Sequence, residues 1–90
     1  MTDPPWRLVV TGPARRQLDR LPVSVAAAVL ETFDAIAENP KRLGERLVLE
    51  HEGRWSARRG PYGIIYELLE EERLVRVIAI GHRRDIHRRR

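Results

Sequence analysis

The spacing of apolar and polar positions divides the chain into a first strand, a helical middle and a β-rich last third. Trp6-Arg7-Leu8-Val9-Val10 alternates and then turns apolar, which suits a short strand. Thr11-Gly12-Pro13 stops it and opens a helix, with Thr11 or Gly12 near the cap and Pro13 in the first turn, where its missing N–H costs nothing. Ala14, Leu18 and Leu21 then fall at i, i+4 and i+7, leaving Arg15, Arg16, Asp19 and Arg20 outside the apolar face. After Leu21-Pro22, a longer helical stripe runs through Val25, Ala28, Val29, Phe33, Ile36 and Ala37. It stops at Asn39-Pro40, because a residue before proline leaves the helical region. Two helices joined by so short a corner predict an antiparallel helical hairpin.

Lys41 to Gly53 carries no period, is interrupted by Gly44 and Gly53, and is predicted as mostly loop. Three strands follow: Trp55–Arg59, Tyr62–Leu69 and Leu74–Ile80. The last two form an antiparallel hairpin around Glu70-Glu71-Glu72-Arg73. Asp85-Ile86-His87-Arg88 suits a last helical turn. The predicted order is β-α-α-β-β-β, a single α+β domain over residues 1–90. Its helical hairpin covers one face of a four-stranded, antiparallel-rich sheet and leaves the other face open for binding. Tyr62 and Tyr66 share a strand face with Ile64 and are assigned to the core.

Composition narrows the chemistry. Ninety residues, 42% of them hydrophobic, support one core, and the longest apolar runs are too short to span a bilayer. Without cysteine there is neither a disulfide framework nor a thiolate metal site. His51, His82 and His87 lack the spacing of a ligand pair, so no metal or other cofactor is expected. The first residues lack the regions of a signal peptide, which makes the cytoplasm the expected location. Net charge is +4 and is unevenly placed. Residues 1–50 balance seven basic against seven acidic side chains, whereas residues 51–90 carry ten against six. Only Lys41 among the basic residues is lysine, and the arginine fork suits phosphate. The balance favours nucleic acid or an acidic protein as partner, without separating the two.

Antiparallel pairing brings the arginines before Tyr62 and those after Ile80 to one end of the sheet. Arg58 shares a strand face with Ser56, while Arg59 shares the other with Ala57. Arg58 reads as a phosphate clamp, and Arg59 as an outer contact or a structural ion-pair partner. The simpler reading of both is a solvated strand edge that deters edge-to-edge pairing. Arg54, Arg84 and Arg88 are further candidate contacts to a phosphate backbone, although Arg88-Arg89-Arg90 also reads as a solvated tail. An unperturbed imidazole titrates at about pH 6.5. His87 is therefore a candidate group for giving or taking a proton near neutrality, or for stacking on a base, with a surface histidine as the plain alternative.

Several of these segments, in this order, resemble the RelE/ParE superfamily of bacterial toxins. They are Arg20-Leu21-Pro22, Asn39-Pro40-Lys41-Arg42-Leu43-Gly44, Gly53 through Tyr62 with its Ser56-Ala57-Arg58-Arg59-Gly60 centre, Ile64-Ile65-Tyr66, and Gly81 through Arg88. The likeness runs from about residue 6 to the end and is greatest for RelE-like mRNA interferases of actinobacteria. It implies a metal-free ribonuclease that cuts mRNA in the ribosomal A site. There the 2′-OH attacks the adjacent phosphate and basic residues stabilise the added negative charge. By position, the basic residue of the family's second strand falls on Arg58, and the arginine ending its last strand falls on Arg83.

Three positions depart from that pattern. Gly63 follows Tyr62 where the family has arginine, Ser56 stands where another basic residue is frequent, and His87 takes the place of a C-terminal tyrosine. A donor aimed at a developing anion is worth about 3–4 kcal/mol, so the expected catalysis is weakened while the fold is not. The resemblance further implies a cognate antitoxin, acidic and partly disordered, as well as ribosome and mRNA. Operator DNA is expected to be reached only through the antitoxin complex, and no membrane is involved. Two alternatives remain: a ParE-like inhibitor of DNA gyrase, and an attenuated toxin that mainly binds its antitoxin as a co-repressor.

Overall fold

A computed structural model describes residues 5–46 and 53–86. Strand β1 (Arg7–Val10) leads directly into helix α1 (Gly12–Asp19). Thr11 is the cap: its extended backbone aims Oγ1 at the N–H of Ala14, 3.4 Å away, with Pro13 in the first turn. The Leu21-Pro22 corner then turns the chain into α2 (Val23–Glu38). Asn39 leaves helical geometry and Pro40 opens a one-turn helix, α3 (Pro40–Leu43). Beyond it lie β2 (Glu45–Arg46), β3 (Arg54–Arg59), β4 (Tyr62–Leu69), β5 (Leu74–His82) and a final turn of helix, α4 (Arg83–Ile86).

The strands form one sheet in the order β1-β5-β4-β3-β2. The pairs β2–β3, β3–β4 and β4–β5 are antiparallel, while β1 lies parallel to β5 at the opposite edge. Alternation sets the faces. Ala57, Ile64, Tyr66, Val75, Val77 and Ile80 are buried and meet Val29, Phe33 and Ile36 of α2 and Ala14 of α1 in a single core. Arg54, Ser56 and Arg58 lie on the other face of β3. The turn between β4 and β5 is fastened to β1. The Arg73 guanidinium lies 4.6 Å from the centre of the Trp6 ring, and the Arg73 carbonyl accepts from the Arg7 N–H at 2.9 Å.

The sheet has five strands rather than the expected four. β2 is two exposed polar residues, too short for any alternation to reveal, and only its pairing with Trp55 and Ser56 defines it. The same stretch, expected to be loop, also contains α3. The closing helical turn begins at Arg83, two residues ahead of the predicted Asp85. Among the described residues, no helix is long and apolar enough to cross a membrane.

Candidate nucleic-acid interface

Register places the expected arginines. Arg58 pairs with Gly63, which pairs with Gly81, so one row across the open face holds an arginine followed by two glycines. The next row outward pairs Arg59 with Tyr62 and Tyr62 with His82. The rings of Tyr62 and His82 meet edge to face at 5.8 Å. Directly after His82, the N–H of Arg83 donates to the carbonyl of Pro61 in the β3–β4 turn at 2.8 Å. That bond anchors the start of α4 over the same end of the sheet. Arg58 and Arg83, widely separated in sequence, therefore reach one end of the molecule.

Arg58 is exposed and Arg83 half-buried, and among the described residues neither guanidinium has a hydrogen bond or an ion pair. Arg84 is exposed, and only its backbone N–H is engaged, with His82 Nδ1 at 3.4 Å. Arg59 and Arg54 differ. Arg59 turns to the helical face, where Nη2 lies 3.1 Å from Glu31 Oε1 and Nη1 donates to Thr32 Oγ1 at 3.3 Å. The Thr32 hydroxyl donates in turn to the Ala28 carbonyl at 2.9 Å. Arg54 lies beside Glu67, its Nε 3.5 Å from Oε2, and Arg76 holds the other oxygen at 2.6 and 3.1 Å. Exposed pairs of this kind contribute little stability, about 0–1 kcal/mol each. Their consequence here is that Arg59 and Arg54 already have carboxylate partners.

His87 and Arg88 lie outside the described residues. Arg76 was not among the expected contacts, because only the register that sets it across from Glu67 gives it a place on the open face. Gln17 was missed as well. Nothing in its helical spacing marks it, yet its Oε1 accepts from the Ile80 N–H at 2.8 Å.

On its outer side the helical hairpin forms a second feature, an apolar groove of about 630 Å³ beside the end of β1. It is lined by Val10, Leu18, Leu21, Val23, Leu30 and Phe33, with Arg15 and Asp19 at its rim. Val23 is 87% exposed and Leu30 49%.

Known proteins share this architecture. Residues 8–87 match the family described as ParE toxin of type II toxin-antitoxin system, parDE. The toxin RelG of Mycobacterium tuberculosis is 40% identical over 86 residues, spanning 94% of this chain and 99% of the relative. The toxin RelE of the same organism is 40% identical over 82 residues, 90% of this chain and 84% of the relative. Among solved structures, the toxin–antitoxin complex RelBE2 from Mycobacterium tuberculosis superposes with a TM-score of 0.83 at 38% identity, covering 90% of this chain and 94% of the other. The isolated RelE toxin of E. coli superposes at 0.74 with 16% identity, covering 86% and 83%, a likeness of fold alone.

Proposed function

The chain belongs to the ParE toxin family of type II toxin–antitoxin systems, within the wider RelE/ParE group, and on that premise we propose that it is a ribosome-dependent mRNA endoribonuclease. The observation that carries this reading is the contrast among its arginines. Among the described residues Arg58 and Arg83 have no carboxylate partner and come to the same end of the sheet, Arg58 beside Gly63 and Arg83 through its backbone bond to Pro61, while Arg54 and Arg59 are paired with carboxylates. Two free guanidiniums at one end of a sheet suit a phosphate that gains negative charge in the transition state. The ribose 2′-hydroxyl gives its proton to solvent water as its oxygen bonds to phosphorus, and the bond to the 5′-oxygen breaks. Arg58 and Arg83 bind the non-bridging oxygens, and His87 supplies the proton that the departing 5′-oxygen takes up. Arg84 and Arg88 serve as outer contacts to the RNA backbone.

The test is mRNA cleavage on programmed ribosomes by the wild type beside Arg58→Ala, Arg83→Ala and His87→Ala. Discrete A-site cuts are expected from the wild type. Each arginine variant should lose about 10²–10³-fold in rate, and His87→Ala about 10²-fold. Wild-type cleavage retained by His87→Ala removes that residue from the mechanism. Gly63, at the family's arginine position, favours a second reading, inhibition of DNA gyrase. Intact mRNA together with blocked supercoiling would establish it.

The partner that holds the toxin inactive is an antitoxin. The relative RelBE2 was solved as a toxin–antitoxin complex. The apolar groove between α1, α2 and β1 offers the seat that an amphipathic antitoxin helix requires.

A further inference from the structure

The outer edge of β5 is paired with β1 only as far as Val77, whose carbonyl takes the Thr11 N–H at 3.0 Å before the chain turns into α1. Beyond that point the strand changes register. Ile65 faces Ala79 but Tyr66 faces Val77, so a bulge at Ile78 re-aims everything from Ala79 to His82. On its outer side this segment borders an open hollow of about 500 Å³, between Gln17, Arg20, Gly81, His82 and Asp85, rather than another strand. One bond crosses from the helices to it. The Ile80 N–H donates to Gln17 Oε1 at 2.8 Å, and among the described residues no other side-chain hydrogen bond joins α1 or α2 to β5.

The re-aimed segment runs straight into Arg83. We propose that Gln17 is a positioning residue for Arg83: its side-chain carbonyl clamps β5 beyond the bulge and so fixes the arginine's approach to the scissile phosphate. This inference rests on the nuclease reading above. A loosely held guanidinium still binds RNA but meets the developing charge less well, so the effect falls on the chemical step rather than on binding.

The test compares Gln17→Leu, which deletes the acceptor at similar volume, with Gln17→Glu, which keeps one. Single-turnover cleavage on programmed ribosomes should slow about tenfold in Gln17→Leu with ribosome affinity unchanged, and Gln17→Glu should recover most of it. The loss should persist in an Arg58→Ala background and vanish in an Arg83→Ala background. No loss, or an equal loss in both backgrounds, overturns the proposal. Amide exchange on the same proteins gives a readout independent of activity. Faster exchange confined to residues 80–83 in Gln17→Leu supports the clamp, and unchanged exchange overturns it. Should the wild type leave mRNA intact while exchange at residues 80–83 does rise, the nuclease reading is what fails and the clamp stands.

Discussion

An arginine's use is decided by what already holds it. Arg58 and Arg59 are neighbours on β3, yet strand alternation sends one to the open face and the other to Glu31 and Thr32 of α2. Arg59 thereby fastens sheet to helix, and Arg58 has no carboxylate partner among the described residues. Gly63 is its register partner on β4. It is buried, on the central strand, in register between Arg58 and Gly81. An arginine there restores the donor that the family pattern places after Tyr62, but it must make room for itself next to Arg58. Gly63→Arg is accordingly expected to lower the melting temperature and to raise cleavage about tenfold per folded molecule. Both are read from one preparation, by thermal unfolding and by the programmed-ribosome assay. Unchanged cleavage would mean that Arg58 and Arg83 already suffice, or that RNA is not the target.

Among the elements, the α3–β2 junction depends on a single tyrosine. Tyr66 is fully buried and its hydroxyl donates to the Pro40 carbonyl at 2.7 Å, which pins the first residue of α3 to the middle of β4. Gly44 makes the approach possible, since a Cβ there would collide with the Tyr66 hydroxyl and lie 3.1 Å from the Ser56 carbonyl oxygen. Burial disfavours the phenolate and pushes the Tyr66 pKa from 10.0 up to about 12. The folded pKa is raised, so this contribution is complete below pH 10 and is lost as pH rises from about 10 to about 12. On the order of 2–3 kcal/mol should disappear across that window. Tyr66→Phe, less stable at neutral pH by about 1–3 kcal/mol for the unpaired Pro40 carbonyl, should show no such fall. Denaturant midpoints of the two proteins between pH 9 and pH 12 make the comparison, and parallel curves would refute the assignment. Tyr66 was legible as core from its alternation with Ile64, and the two main helices and three long strands were legible for the same reason, because local period fixes them. Its bond to Pro40 was not, nor was β2 or the bond between Gln17 and the Ile80 N–H. Each joins residues far apart in the chain, and only the assembled sheet sets the distance between them.

At the scale of the whole molecule, the two candidate surfaces lie on opposite sides of the sheet. Arg58 stands at one end of the open face, and the apolar groove lies on the outer side of α1 and α2 beside Val10, on the helical side. A short antitoxin segment cannot cover both. One that fills the groove must extend around an edge of the sheet to reach Arg58, or else inhibit by bulk. The separation makes the two functions independently breakable. Leu30 is half-exposed on α2, and a carboxylate there would be buried in apolar surroundings by any helix seated in the groove. Leu30→Glu is expected to weaken the antitoxin complex by at least about tenfold while leaving single-turnover cleavage as in the wild type, because the substitution lies on the far side of the sheet from Arg58. Titration calorimetry with the cognate antitoxin and the programmed-ribosome assay read the two halves separately. Undiminished antitoxin binding would place the docking site elsewhere. A joint loss of binding and cleavage, in protein that still folds, would show that groove and arginines are coupled through the sheet.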